Sequence, residues 1–208
     1  MVQAMKVELA DCTNYDFYKK LLILTHGTRS NRKEESWHSK KSIEDFTKDL
    51  ISWGHEGPFE HIKFTFFVSG ISRVLTHQLV RHRIASYLQM SNRHSEPLAT
   101  AYVIPEPLLN NHKAIGMYER MIEQGWDNYK TLQDYGVRRE DARYVLPPGY
   151  FTHILVTMNG RELRHFFQLR CSKDAQDEIR TLAKKMLIIC YGKFPAIYED
   201  LYDKYVLK

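Results

Sequence analysis

Residues 78 to 93 read Gln-Leu-Val-Arg-His-Arg-Ile-Ala-Ser-Tyr-Leu-Gln-Met-Ser-Asn-Arg and concentrate the groups able to hold an anion. Arg81, His82 and Arg83 are potential cations in a row. Burying them without partners is costly, so their natural complement is an anion or an anionic cofactor. Ser86, Gln89, Ser91, Asn92 and Arg93 follow, with Tyr87, Leu88 and Met90 as apolar relief. Guanidinium forks at both ends of a polar loop make a phosphate cradle; a solvated basic loop is the plainer alternative. His82 lies between two arginines, which disfavours its cationic form and suits a neutral hydrogen-bonding role.

A second segment, His55-Glu56-Gly57-Pro58-Phe59-Glu60-His61, invites a metal reading because two histidines flank two glutamates. Zinc-binding helices carry H-E-x-x-H, with both imidazoles one turn apart. Here Gly57-Pro58 interrupts any helix between the histidines, so a turn leading into a strand is expected and no metal. Cys12, Cys171 and Cys190 are widely spaced without a C-x-x-C pair, which points to neither a disulfide framework nor a zinc knuckle. The 30 Lys and Arg against 25 Asp and Glu leave a net charge of +5, compatible with anionic metabolites or with nucleic acid. No apolar leader and no run of membrane-spanning length is visible, so a reduced, cytoplasmic protein without a membrane partner is expected.

The elements that must position these groups follow from hydrophobic spacing. Ile71, Leu75 and Leu79, with Val74 between, predict a short buried helix running into Arg81. Ahead of it, Ile62 to Ser69 alternates as a half-buried strand that Gly70 ends. Lys6 to Leu9 is a short strand, and Asn14 caps a helix through Phe17, Leu21 and Leu24, with Asp16 in its first turn. His26 to Glu35 reads as a loop. Ser36 to Trp53 is a helix with Ile43, Phe46, Leu50 and Trp53 on one face and Gly54 as terminator. Thr100 to Ile104 resembles a strand, Leu108 to Tyr135 a long helix, and Arg138 to Arg143 a short charged one. Tyr150 to Met158 alternates as a strand; helices then run through Leu163, Phe166 and Phe167 to Arg170, from Ile179 to Ile189, and from Pro195 onward. One α+β domain over residues 1–208, without repeats or linkers, is the economical reading.

Arg81-His82-Arg83, Ser86, Ser91 and Arg93 fit R-H-R-x-x-S-x(4)-S-x-R, the signature of the flavin-dependent thymidylate synthases. His55-Glu56-x-Pro58-Phe59-Glu60-His61, Gln78 three residues before Arg81, Ala142-Arg143-x-Val145-Leu146-Pro147 and Asn159-x-Arg161-x-Leu163, leading into Phe166 and Leu169-Arg170, resemble further segments of that family, in register from about residue 54 to 180. The resemblance implies methylation of deoxyuridylate to thymidylate. The carbon would come from 5,10-methylenetetrahydrofolate and the hydride from reduced flavin adenine dinucleotide (FAD), with NADPH reducing the flavin. It also implies a central mixed or antiparallel sheet flanked by helical groups, and a homotetramer with sites where subunits meet.

Residue by residue, Gln78, Arg81, Gln89, Ser91, Arg93 and Arg143 match positions that hold the nucleotide, and Arg170 the arginine that contacts the pyrimidine and helps ionise its ring nitrogen. On helix spacing alone, Arg170 could instead pair with Asp174. His55, Gly57, Arg81, His82, Arg83, Gln89, Asn159, Arg161 and His165 match positions at the flavin, although His55 also reads as a simple turn histidine. Nothing near Ser91 in sequence looks like a paired base, so it reads as a binding hydroxyl and no covalent enzyme nucleophile is expected. Three positions depart from the commonest pattern: Gly57 where many members have Thr or Ser, Gln89 for a frequent Glu, and His165 where some have Asn. No G-x-G-x-x-G follows a strand, so a Rossmann flavin site is not expected. A reading from another class, a basic nucleic-acid-binding module stacking bases on its tyrosines, predicts a colourless protein with salt-dependent oligonucleotide binding.

Overall fold

The computed structural model describes residues 4–27, 40–91, 93 and 101–208. Four strands form one antiparallel sheet in the order β1-β2-β4-β3: β1 Lys6–Cys12, β2 Lys63–Ser72, β3 Ala85–Gln89 and β4 Phe151–Asn159. The described helices are α1 Tyr15–Gly27, α2 Lys40–Ser52, α3 Arg73–Leu79, α4 His112–Asp134, the one-turn α5 Arg139–Ala142, α6 Gly160–Arg170, α7 Asp177–Lys193 and α8 Pro195–Tyr205. The expected α+β architecture is therefore present, with the sheet wholly antiparallel.

Alternation places the core. Phe64, Phe66 and Val68 of β2 and Ile154, Val156 and Met158 of β4 are buried, facing Leu163 and Phe167 of α6, Leu182 and Met186 of α7 and Tyr198 of α8. Edge-on ring contacts bind that layer, Phe64 to Tyr198 at 6.0 Å and Phe167 to Tyr198 at 5.8 Å. The opposite sheet face, with Thr65, Phe67, His153 and Leu155, is only half-buried, as one-sided antiparallel sheets allow.

Several expectations change. Gly70 does not end β2. It sits at φ 70°, where the register against β4 shifts between Val68 and Ile71, and a Cβ there would lie 2.1 Å from the Ala4 carbonyl oxygen. A bulge thus carries the strand through Ile71 to Ser72, whose side chain caps α3 by accepting from the Leu75 N–H at 3.1 Å. Trp53 is 55 % exposed and turns away from the core face of α2. Residues 36–39 and most of the expected 26–35 loop lie outside the described residues, while His26 and Gly27 belong to α1. The expected strand at 100–104 reduces to a single bridge, Tyr102 to Tyr150, with Thr100 outside the described residues. Asn14 does cap α1, accepting from the Phe17 N–H at 2.8 Å.

Candidate active site

The segment expected to be a polar loop after α3 contains strand β3. Ala85, Tyr87 and Gln89 are half-buried and Ser86 and Leu88 exposed, the alternation of an edge strand. β3 runs antiparallel to β4, Ala85 opposite Met158 and Gln89 opposite Ile154. The Tyr87 hydroxyl points back to the carbonyls of Leu79 and His82, both at 2.8 Å, and straps the turn that joins α3 to β3. That strap leaves Arg81 and Arg83 exposed and drives His82 inward, 5 % exposed.

His82 is held from both sides. Arg170, at the last position of α6, donates its Nε–H to His82 Nε2 at 3.1 Å, a contact that helix spacing, which offered Asp174 as an alternative partner, does not show. His82 Nδ1 stands 3.3 Å from Glu162 Oε1, and the Phe166 ring packs edge-on at 4.9 Å. A guanidinium N–H can only donate, so Nε2 must be unprotonated and the single ring proton sits on Nδ1, aimed at the carboxylate. Burial, then the charges of Arg170 and His165, push the His82 pKa down to about 4, so the ring is neutral near neutrality. Burial raises the Glu162 carboxyl above its ordinary value.

Glu162 gains its place from the start of α6. Asn159 caps the helix, its side chain accepting from the Glu162 N–H at 2.8 Å. Gly160 lets α6 close onto the turn at Gly57–His61: its N–H reaches the Ile62 carbonyl at 2.7 Å, and a Cβ would crowd the Phe59 carbonyl oxygen at 2.9 Å. Arg164, 2 % exposed, locks the same junction by bonding Glu56 at 2.9 Å, both carboxylate oxygens of Asp200 at 2.8 Å, and the Ile197 carbonyl. The paired groups offset a buried charge that would otherwise be costly. His55 and Gly57 ride on that locked turn, both exposed. A side chain at Gly57 would meet nothing within 4 Å, and its φ is not positive, so the backbone does not demand glycine there.

The result is a cleft of roughly 530 Å³ at the head of α6, lined by Asn159, Arg161, Glu162 and His165 and by Ile84, Gln168, Glu56 and Glu60. Arg161 Nη1 is 2.5 Å from Glu60 and Arg164 2.9 Å from Glu56, so two of the three lining glutamates that would repel an anion are already paired, and the third, Glu162, meets the His82 ring. Arg161, the neutral hydrogen-bonding groups of Asn159 and Gln168 and the exposed apolar side chain of Ile84 offer contacts to a group that carries both a flat ring system and phosphates, as a flavin dinucleotide does.

Of the nucleotide-matched residues, Gln78, Gln89, Ser91, Arg93 and Arg143 lie toward the other end of β3, while Arg81 and Arg170 stand at the His82 end. Gln89 Nε2 donates to the Thr76 and Thr152 hydroxyls at 3.1 and 3.3 Å. Arg93 Nε meets Glu140 Oε2 at 2.6 Å and its backbone N–H the Ser91 hydroxyl at 3.2 Å, while Arg143 Nε donates to the Glu140 carbonyl at 3.0 Å. Gln78 is half-buried in the last turn of α3. Arg73, not singled out by the sequence, joins this group: its Nη2 donates to the Met90 carbonyl at 3.1 Å, and with Arg143, Tyr144 and Tyr150 it lines a cavity of roughly 270 Å³. Burial, then the Arg143 charge, lowers the Arg73 pKa. The residues of β3 rise about 3.4 Å each, so the two groups stand on the order of 14 Å apart along the strand. Within one chain the residues matched to the two ligands therefore spread over both ends of β3, with His82 and Arg170 at the Ala85 end and with Arg81 and Gln89, matched to both ligands, at opposite ends.

Arg73 and Glu162 are the residues that sequence reasoning missed. Arg73 gave no signal, since it opens a helix that spacing alone started earlier. Glu162 did: Asn159-x-x-Glu162 is a helix-start pattern that the expected strand end at Asn159 left unused. Among the described residues no cluster of three or more His, Cys, Asp or Glu could hold a metal ion, and no helix is long and apolar enough to cross a membrane.

Comparison with known proteins adds a lineage. A family model described as thymidylate synthase complementing protein matches residues 8–196. A flavin-dependent thymidylate synthase of Saccharolobus solfataricus is 45% identical over 189 residues, covering 88% of this chain and 71% of that protein. Another, of Geobacter sulfurreducens, is 44% identical over 164 residues, covering 78% and 71%. In three dimensions, a UMP/dUMP methylase from Streptomyces cacaoi superposes with a TM-score of 0.86 over 98% of this chain and 96% of that one. At 24% sequence identity, that likeness speaks to the fold.

Proposed function

The chain belongs to the flavin-dependent thymidylate synthases, enzymes that methylate deoxyuridylate to thymidylate, and on that premise we propose that the cleft at the head of α6 holds the flavin and that Arg170 acts on the pyrimidine. FAD, when bound, supplies the hydride that a methyl group requires. The finer parts of the reading are 5,10-methylenetetrahydrofolate as carbon donor and NADPH as the reductant of the flavin.

Uracil is a poor nucleophile at its fifth carbon and must first take on enolate-like negative charge. A fixed cation beside the ring lowers the cost of that charge. Arg170 suits the role because it stays protonated throughout, and because His82 already occupies its Nε. The two terminal amino groups are left to face the pyrimidine oxygen and ring nitrogen as a planar fork. This tether between Arg170 and a neutral, buried His82 is the observation that carries the reading. A cationic His82 would repel the fork it orients; the neutral ring does not.

At the far end of β3, Gln78, Gln89, Ser91, Arg93 and Arg143, with Arg73, offer guanidinium forks for the phosphate and neutral groups for base and sugar. Arg81 and Arg83 stand exposed on the turn ahead of Ile84, where they would reach flavin phosphates, with Asn159, Arg161 and His165 lining the cleft and His55 and Gly57 on the turn that carries Glu56. The spread of the matched residues over both ends of β3 supports a homotetramer in which the nucleotide end of one subunit faces the flavin end of another. Cytoplasmic placement goes with a thymidylate-forming enzyme.

Release of tritium from the fifth position of labelled deoxyuridylate tests the proposal. Release should require flavin, bound or added, together with methylenetetrahydrofolate and NADPH, and the flavin-loaded protein should be yellow. A colourless preparation that releases none, and binds oligonucleotides with a steep salt dependence, would replace this reading with the nucleic-acid one.

A further inference from the structure

We propose that Glu162 is a positioning residue for Arg170, acting through the His82 ring. The inference rests on the reading that Arg170 meets the pyrimidine, and it concerns what aims that guanidinium.

The three side chains form a chain of donors and acceptors with a fixed direction. Arg170 Nε–H donates to His82 Nε2 at 3.1 Å, and His82 Nδ1–H donates to Glu162 Oε1 at 3.3 Å. Each link determines the next. If the ring carried its proton on Nε2, two N–H groups would confront each other across the Arg170 contact, and the guanidinium would swing away. The proton stays on Nδ1 because Glu162 is there to accept it. Of the two neutral forms of imidazole, Nδ1–H is the less favoured in water, so a fixed acceptor is needed to hold it.

Burial makes the arrangement rigid. The His82 and Glu162 side chains are 4% and 8% exposed, and Phe166 packs against the imidazole. A carboxylate so enclosed is costly unless it is used. Its backbone is pinned by the Asn159 cap, and the Tyr87 hydroxyl fixes the His82 carbonyl at 2.8 Å, so neither partner can drift. Other charged and titratable groups near the ring are Arg170 and His165, and neither is placed to accept the Nδ1 proton: Arg170 is a donor, and His165 lies with its ring centre 6.2 Å away. Glu162 reaches no substrate in this scheme; it sets the tautomer, and the tautomer sets the fork.

The test uses flavin-loaded protein labelled with ¹⁵N at histidine, with His82 assigned by subtraction of the His82→Gln spectrum. In the parent protein and in Glu162→Gln, whose amide oxygen still accepts, His82 should show a protonated Nδ1 and a bare Nε2. In Glu162→Leu the proton should move to Nε2. Turnover should follow the tautomer: kcat down by about 100-fold in Glu162→Leu with the KM for deoxyuridylate little changed, and close to the parent value in Glu162→Gln. A parent His82 protonated on Nε2, or on both nitrogens, would overturn the relay. So would a Glu162→Leu enzyme that turns over normally, or a Glu162→Gln enzyme that keeps the tautomer yet fails as badly as Glu162→Leu. The spectra need no turnover, so they judge the relay even if the thymidylate reading itself fails.

Discussion

At the Ala85 end of β3, His82 is 5 % exposed and both its ring nitrogens are engaged, by Arg170 and Glu162. At the Gln89 end, Arg93 and Arg143 are exposed, and Arg93 rests on a carboxylate, Glu140, 2.6 Å away. The same residue type thus appears under two regimes. Arg170 is aimed by a buried neutral ring, so its charge is placed before any substrate arrives. Arg93 is parked on a surface partner that an incoming phosphate can replace, since exposed pairs contribute little. On the proposed reading the first arrangement would serve chemistry and the second capture, because orientation matters most where charge develops in the transition state.

The sharpest way to break this contrast is to remove the aimed arginine. Arg170→Ala should lower turnover by about 1000-fold, the scale for losing a preorganised group at developing charge, while flavin binding and the thermal midpoint stay near the parent values. Near-normal turnover would take Arg170 out of the reaction and erase the difference between the two ends.

Titration reads the buried end directly. The unfolded chain protonates His82 near its ordinary 6.5, whereas the folded chain resists until about 4. The unfolded state therefore binds more protons at His82 between those limits, so the His82 contribution to stability is constant above pH 6.5 and falls as pH drops from 6.5 to 4. At roughly 1.4 kcal/mol per unit, the loss is on the order of 3 kcal/mol. Glu162 has the opposite sign: its raised pKa gives stability that is present below its ordinary value and lost as pH rises through the folded one. His82→Gln should flatten the acid limb of a denaturant-midpoint series and leave the slopes of the other shifted groups, Glu162 and the half-buried Glu178 among them. An unchanged acid limb would mean that His82 is not held neutral.

Arg143→Ala probes the capture end. Losing one charge-assisted contact should weaken deoxyuridylate by about 10- to 100-fold, with a smaller salt dependence than the parent, and leave flavin affinity as it was. Calorimetry with each ligand at two salt concentrations separates the outcomes. Equal loss for both ligands would show that the two ends behave as one basin.

Much of this was legible in the sequence, because period and capping are local. The inward alternation of Phe64, Phe66 and Val68 and the Asn14 cap correspond directly to observed geometry. The neutral state of His82 was expected from its arginine neighbours, but it comes first from burial and then from the charges of Arg170, 88 residues away, and His165. What stayed hidden is what depends on the chain meeting itself. β3 looked like a loop because an edge strand exposes Ser86 and Leu88 and needs β4 to define it. Ile71 looked helical because the four-residue spacing to Leu75 and Leu79 continues through a bulge that only the Gly70 backbone reveals. Glu162 and Arg73 acquire meaning only from His82 and Met90, contacts made across the fold.

The smallest expected effect lies on the turn that α6 clamps. Gly57 replaces a hydroxyl-bearing residue common in the family, yet nothing within 4 Å would obstruct a side chain there, and the backbone is not left-handed. Gly57→Thr should therefore fold normally. If the turn faces the flavin phosphates, the added hydroxyl contributes one net hydrogen bond, about 1 kcal/mol, or a few-fold tighter flavin. Gly57→Ala is the control, because replacing glycine also stiffens the unfolded chain by about 0.4–1 kcal/mol without offering a hydroxyl. Flavin affinity measured by fluorescence quenching should rise for Thr and not for Ala, while thermal stability shifts in both. Equal flavin affinity in all three proteins would place the turn away from the phosphates, and with it the assumption that Arg164 clamps a binding surface rather than a structural corner.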